Sequence, residues 1–118
     1  MTNVTPTLAM LIGEEVSAVS FVTSYVEFIF SGPVLRAIAW PTLRTANQTH
    51  TFPEPGSRDA LCTLIGQVVR SVEDRDGELI RLAFVTGDEL TIPLDEASLA
   101  SGEGAHFVPQ FNGPIQVW

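Results

Sequence analysis

One stretch of sequence occurs twice in this chain. LIGEEVSAV at residues 11–19 returns as LIGQVVRSV at residues 64–72, an offset of 53 positions. A glycine after two apolar residues is typical of a helix end, because glycine adopts the left-handed conformation found there. The valines that follow lie three positions apart, which fits neither a long helix nor strict alternation and predicts a strand with a bulge or a strong twist. We therefore predict two similar halves that share one fold.

A short helix is predicted before each glycine. Thr5 and Pro6 are typical of a helix start, with a hydroxyl to cap and a proline at the first helical position. Ser57 is the expected cap of the second helix. The predicted buried faces are Leu8, Leu11 and Ile12 in the first helix, and Leu61, Leu64 and Ile65 in the second.

Three strands are predicted after each helix. Alternating apolar residues within 25–30 and 79–84 indicate central strands that face a core, and Gly32 and Gly87 mark the turns that follow. Asp76-Gly77 is typical of a hairpin turn, because such a turn requires positive backbone φ angles. Each half is therefore predicted as a short helix plus a three-stranded antiparallel meander.

The predicted fold is α+β, mainly β, in a single domain of residues 1–118. The internal repeats are expected at 5–41 and 57–94. They are related by a pseudo-twofold axis and packed as a sandwich or as a partly open barrel.

Two segments lie outside these repeats. Residues 42–56 are interpreted as an inserted segment that contains a small hairpin around Asn47-Gln48. Residues 95–118 are interpreted as a loop and a C-terminal strand that turns at Asn112-Gly113. We expect Trp118 to dock against a sheet, because burying an aromatic ring removes about 150 to 250 Å² from water. Alternatively, Trp118 contacts the surface of a partner.

Composition and charge limit the classes of function. The chain is 45% hydrophobic, which favours a globular protein over a disordered one. The formal net charge is −8, and residues 73–118 account for −7 of it. This distribution disfavours a nucleic-acid partner and would attract a basic protein partner. Alternatively, the acidic charge only keeps a small protein in solution. No apolar run is long enough to cross a membrane and Cys62 is unpaired, so we expect a cytoplasmic protein with no membrane partner.

No pattern in the sequence predicts a catalytic or metal centre. His50 and His106 have no second imidazole or thiol at metal-ligand spacing, and there is no Gly-x-Ser-x-Gly motif. Cys62 aligns with Ala9 of the first copy, which predicts a small buried residue rather than a nucleophile. We expect no cofactor and favour a non-enzymatic protein.

The acidic second half supplies one set of candidate site residues. A basic protein partner would be attracted to carboxylates there. The candidates are Asp74, Asp76, Glu78, Asp88 and Glu89.

A second set lies at positions where the copies differ. Arg36 aligns with Thr91, and the other members lie in or beside the inserted segment. Arginine and aromatic residues are enriched in binding interfaces. The candidates for a pocket or interface are Arg36, Trp40, Arg44, His50 and Phe52. Alternatively, Trp40 and Phe52 fold back over an open end of a sheet.

Together with the repeat, LAFVTG at residues 82–87 and GPIQVW at residues 113–118 resemble an uncharacterised family of small bacterial, largely actinobacterial, proteins. The resemblance implies a duplicated helix-plus-meander fold with a C-terminal Trp, and it implies no particular activity. Such proteins look like those sometimes encoded beside toxins, which suggests an immunity role by analogy.

We therefore predict a non-enzymatic protein-interaction protein, specifically an immunity protein that neutralises a basic toxin through an acidic surface. One alternative is a small-ligand binding module or enzyme with a pocket between the repeats, near Arg36, Trp40 and His50. Another is a homo-oligomeric structural component joined through strand edges. Both a monomer and a homodimer are compatible with the sequence.

Overall fold

The computed structural model describes residues 7–99, 102–109 and 115–118. Within these ranges the chain forms ten strands, one α-helix and two short 3₁₀ helices, at Leu8–Leu11 and Glu96–Ser98. The remaining elements are β1 (Ala18–Val22), β2 (Tyr25–Ile29), β3 (Val34–Ala37), β4 (Thr42–Arg44), β5 (Thr49–Thr51), α1 (Ser57–Cys62), β6 (Val69–Arg75), β7 (Leu79–Phe84), β8 (Glu89–Pro93), β9 (Ala105–Val108) and β10 (Gln116–Val117). No helix in this part of the chain is long and apolar enough to span a membrane.

The strands form two antiparallel five-stranded sheets. Their orders are β1-β2-β3-β9-β10 and β6-β7-β8-β4-β5, so the two sheets have equivalent arrangements. The prediction of an α+β, mainly β fold with two antiparallel meanders is confirmed. Because inward-facing residues of both sheets belong to one buried cluster, the sheets pack together as a sandwich.

Each sheet combines strands from both halves of the sequence. The meander β1-β2-β3 is extended by the pair β9-β10, which follows the second meander in the chain. The meander β6-β7-β8 is extended by the pair β4-β5, which follows the first meander. The chain therefore crosses from one sheet to the other after β3 and again after β8.

This exchange changes the interpretation of residues 42–56. The predicted hairpin is confirmed, since Thr42–Arg44 pairs with Thr49–Thr51. The hairpin completes the second sheet, however, and occupies the same place there as β9-β10 in the first. Most of the segment thus has a structural counterpart in the pair β9-β10. It is part of the second sheet and connects the two meanders.

The duplicated stretch forms the contact between the two halves. Gly13 N–H donates to the Val69 carbonyl at 2.8 Å, and Gly66 N–H donates to the Val16 carbonyl at 2.8 Å. These two bonds are related by the offset of 53 positions. Val16 and Val69 N–H likewise donate to the carbonyls of Gln67 and Glu14, each at 3.0 Å. The pseudo-twofold axis therefore passes between the two copies of the repeat.

Of the two predicted alternatives, a bulge or a strong twist, the second copy has a bulge. The pairing of β6 with β7 shifts register between Val69 and Ser71, so one extra residue is accommodated there. Val69 is buried and Arg70 is exposed at this shift. The irregular valine spacing in the sequence therefore has a local structural cause.

The helical segments differ in detail from the prediction. Thr5 and Pro6 lie outside the described residues. Gly56, with φ of 84°, occupies the N-cap position of α1 that was predicted for Ser57. Ser57 is the first helical residue and is buried. Ile12 and Ile65 are 51% and 48% exposed, because each helix ends before a turn that carries these side chains outward. The buried members of the two predicted faces are Leu8, Leu11, Leu61 and Leu64.

Trp118 docks as expected. Its N–H donates to the Ala105 carbonyl at 2.9 Å, and its own carbonyl accepts from Gly104 N–H at 2.6 Å. The half-buried indole packs against the core. The predicted turn at Asn112-Gly113 lies outside the described residues.

Candidate functional site

Carboxylates from two segments meet at one end of the second sheet. Asp74, near the end of β6, and Asp76 and Glu78, in the turn between β6 and β7, are all exposed. Leu79 lies opposite Pro93, and Leu94 N–H donates to the Glu78 carbonyl at 2.9 Å, which brings Asp95 and Glu96 to the same end. We call these five residues, 74, 76, 78, 95 and 96, the acidic end.

The acidic end is only weakly neutralised. Arg75 approaches Glu78 at 3.6 Å, but it also pairs with Glu73. Asp95 accepts a hydrogen bond from Ser98 Oγ at 2.9 Å. Asp76 and Glu96 take part in no ion pair among the described residues. Negative charge therefore remains concentrated at this end of the molecule.

Asp88 and Glu89 lie elsewhere. They precede β8 and begin it, and Glu89 is opposite Ala83, near the far end of β7 from Leu79. Glu89 pairs with Arg44, and Asp88 accepts from Gln67 Nε2 at 3.2 Å. The structure thus divides the five predicted acidic candidates into two separate groups, because β7 runs between them.

The sequence held a signal for the two acidic residues that the candidate set omitted. Asp95 and Glu96 follow the third strand of the second meander at the point where that strand ends. In a meander the end of the third strand lies beside the start of the second, where Glu78 is located. Strand pairing, rather than proximity in sequence, would have identified them.

The second set of candidates is also divided by the fold. Arg36, on β3, pairs with Glu27 at 3.0 Å, contacts His106 Nδ1 at 3.1 Å and lies over the Tyr25 ring. Arg44 lies on the second sheet with Glu89. His50 lies on the edge strand β5, opposite Leu43. The ion pair, hydrogen bond and ring contact of Arg36 are thus all with residues of the first sheet, and none of them involves Trp40 or His50.

Trp40 and Phe52 do come together, with two partners that the sequence did not suggest. Phe52 is 5% exposed, stacks on Phe21 at 5.6 Å between ring centroids and contacts Trp40 at 5.3 Å. The guanidinium carbon of Arg58, at the start of α1, lies 4.9 Å from the Phe52 ring centroid and 5.9 Å from that of Phe21. Trp40 remains 42% exposed.

These side chains border a cleft of about 370 Å³, which we call the aromatic cleft. It is lined by Phe21, Val22, Thr23, Trp40, Phe52, Pro53 and Arg58. Four parts of the chain contribute to it: β1, the crossover after β3, the end of β5, and α1. Residues from both halves of the chain therefore meet there. Sequence reasoning missed Phe21 and Arg58 because they are remote from Trp40 in the chain.

Phe52 and Trp118 are equivalent positions in the two sheets. Leu90 of β8 holds the same register position as Leu35 of β3. Leu43 pairs with Leu90, and Phe107 pairs with Leu35, so β4 and β9 also correspond. Phe52 N–H accordingly donates to the Pro41 carbonyl at 3.1 Å, as Trp118 N–H does to that of Ala105. At the Trp118 position the indole Nε1–H donates to Asp74 Oδ1 at 3.0 Å, so this aromatic residue belongs to the acidic end.

Other reactive side chains are dispersed. No group of three or more His, Cys, Asp or Glu is placed to hold a metal ion in residues 7–99, 102–109 and 115–118. Cys62 is exposed, contrary to the prediction of a small buried residue, because α1 buries Ala60 and Leu61 instead. Its counterpart Ala9 is exposed as well.

Comparisons of the chain with protein-family models, curated proteins and solved structures found no match. What the chain does is therefore inferred from its own geometry. The inference below is drawn from the acidic end and the aromatic cleft.

Proposed function

We propose that this chain is a non-enzymatic protein-interaction protein that binds a basic protein partner through its acidic end. One observation supports this above all: five exposed carboxylates from two separate segments lie at one end of the second sheet, and one of them, Asp74, accepts a hydrogen bond from the indole of Trp118. A charged patch of this kind accelerates encounter with a partner of opposite charge, and an adjacent aromatic residue supplies contact area.

The partner that we propose is a basic bacterial toxin, with this chain as its immunity protein. The proposal also draws on the resemblance of residues 82–87 and 113–118 to small bacterial proteins of the kind sometimes encoded beside toxins. Neutralisation would require only that the acidic end cover a functional basic surface of the toxin. No chemistry on this chain is needed.

The test compares two triple variants with the same net charge. Asp76→Asn, Glu78→Gln and Glu96→Gln remove three charges from the acidic end, whereas Glu15→Gln, Glu54→Gln and Asp59→Asn remove three exposed charges elsewhere. The probe is the protein encoded by the adjoining gene, co-expressed with this chain. Association rates of purified variants are then measured by stopped flow at low and at physiological salt.

We expect copurification with the wild-type chain and association roughly tenfold slower for the acidic-end variant at low salt. The difference should shrink as salt increases, because screening weakens interactions between exposed charges. Equal association rates for the two variants would contradict a role for the acidic end. Failure of the neighbouring protein to copurify would contradict the proposed partnership.

A further inference from the structure

The aromatic cleft has a chemical character opposite to that of the acidic end. Its walls are rings of Phe21, Trp40 and Phe52, and the charged side chain at its rim is Arg58. A guanidinium placed over aromatic rings can still donate hydrogen bonds, because it carries five N–H donors around its edge. The cleft therefore combines an apolar floor with hydrogen-bond donors at one side.

Arg58 has no carboxylate partner. All fourteen acidic residues of the chain lie within the described residues, and none forms an ion pair with Arg58 within 4.0 Å. Arg36, Arg44, Arg75 and Arg81 do form such pairs. In a chain of net charge −8, an arginine left without an acid beside an aromatic cleft is available to an anion from outside.

We propose that the aromatic cleft binds a small organic carboxylate with a flat apolar body. The carboxylate would accept hydrogen bonds from the guanidinium of Arg58, which presents two parallel donors that match carboxylate geometry. The apolar body would lie against the exposed ring of Trp40 and the edge of Phe52.

The size of the cleft favours a small molecule over a protein segment. Its volume of about 370 Å³ is within the range of small-ligand sites, near the lower limit of roughly 300 Å³. Glu54 and Asp59 lie close to Arg58 in sequence, and their charges disfavour ligands with several negative groups. A single carboxylate on a compact body therefore fits the cleft best.

The chain offers its own control for Arg58. Arg70 is also exposed and also lacks an ion pair among the described residues, but it lies on β6, remote from the cleft lining. Arg58→Gln and Arg70→Gln remove the same charge and keep a similar side-chain length. Any effect of net charge alone will be equal in the two variants.

The experiment titrates the protein with phenylacetate and with its uncharged isostere phenylacetamide. Binding is followed by two-dimensional nitrogen–proton NMR, in which the indole signals of Trp40 and Trp118 are resolved separately. We expect phenylacetate to shift the Trp40 indole and Thr23 amide signals with a dissociation constant on the order of 1 mM, as ligand efficiency predicts for about ten heavy atoms. The Trp118 signal should stay in place.

Arg58→Gln and the replacement of phenylacetate by phenylacetamide should each weaken binding roughly tenfold or more, since each removes a charge-assisted hydrogen bond. Arg70→Gln should leave the affinity unchanged. The proposal is overturned if phenylacetamide binds as tightly as phenylacetate, if both arginine variants lose affinity equally, or if the Trp40 signal does not move. None of these results bears on the partner proposed for the acidic end, because that test uses other residues.

Discussion

The two sheets of this protein place different chemistry at equivalent positions. Where the first half has Phe21, the second has Asp74, at the same register opposite β2 and β7. Phe52 corresponds to Trp118 at the end of each added strand pair. Trp40 corresponds to Gly104, because each precedes the residue whose carbonyl accepts the equivalent backbone hydrogen bond, Pro41 or Ala105. One end therefore holds stacked rings and Arg58, and the other holds an indole bonded to a carboxylate.

The difference shows how a duplicated fold can hold two distinct surfaces. The backbone hydrogen bond from Phe52 to Pro41 at one end matches the one from Trp118 to Ala105 at the other, so this shared bond does not distinguish the ends. A few side chains do, because a ring at position 21 allows stacking whereas a carboxylate at position 74 attracts an N–H donor. Substitutions at these paired positions therefore test the comparison directly.

The largest effect is expected from Phe52→Ala. Phe52 is 5% exposed and contacts the rings of Phe21 and Trp40, so its removal leaves a cavity. We expect the free energy of unfolding to fall by about 3 to 5 kcal/mol, measured by urea denaturation. Trp118→Ala, at the equivalent half-buried position, should cost less. If Trp118→Ala lowers the free energy of unfolding more than Phe52→Ala does, Trp118 rather than Phe52 makes the larger contribution to stability.

The second-largest effect is expected at Gly104, which corresponds to Trp40 of the other end. A Cβ atom at Gly104 would lie 2.4 Å from Leu94 Cδ2 and 2.9 Å from Leu99 Cδ2. Because Leu94 is buried, we expect Gly104→Ala to reduce the free energy of unfolding by about 1 to 3 kcal/mol. Thermal and urea denaturation will measure it. Unchanged stability would mean that this end has room for a larger residue, and that the absence of a ring there is not steric.

A smaller effect is expected at Asp74. Asp74→Ala removes the acceptor for the Trp118 indole, an exposed hydrogen bond that contributes about 1 kcal/mol or less. Asp74→Phe should recover this loss by stacking on Trp118, as Phe21 stacks on Phe52, since an aromatic pair contributes about 0.5 to 1.5 kcal/mol. Both are measured by urea denaturation. A phenylalanine variant less stable than the alanine variant would show that the ends are not interchangeable.

The smallest effect is expected at Arg58. Its exposed contacts with Phe21 and Phe52 contribute about 0.5 to 1 kcal/mol at most. Arg58→Gln should therefore leave the unfolding midpoint nearly unchanged while weakening carboxylate binding roughly tenfold or more. A loss of stability above about 2 kcal/mol would identify Arg58 as part of the packing rather than as a ligand-binding residue.

The sequence predicted those features that depend on local pattern. The repeat at 11–19 and 64–72, the alternating strands and the glycine turns indicated two matching meanders, and all of these are present. The valine spacing predicted a bulge or a strong twist, and a bulge is present beside Val69. Side-chain alternation and positive φ are set by near neighbours in the chain, so short-range patterns determine them.

Features that depend on pairing between remote segments were decided by the tertiary structure. The sequence pattern does not show that β4 crosses to the second sheet, since a three-residue strand with one buried residue suits either sheet. That crossing brings Phe52 to Phe21 and Arg58, and it separates Arg44 and His50 from Arg36.

The duplicated stretch illustrates both what local pattern predicts and what only the tertiary structure decides. Its periodicity in the sequence predicted that the chain has two halves. Only the fold placed the copies side by side, with Gly13 bonded to Val69 and Gly66 to Val16. Backbone hydrogen bonds of this kind carry no side-chain signature, because every non-proline residue offers the same donor and acceptor. Residue identity therefore determined the elements, and pairing between distant segments determined which residues form each surface.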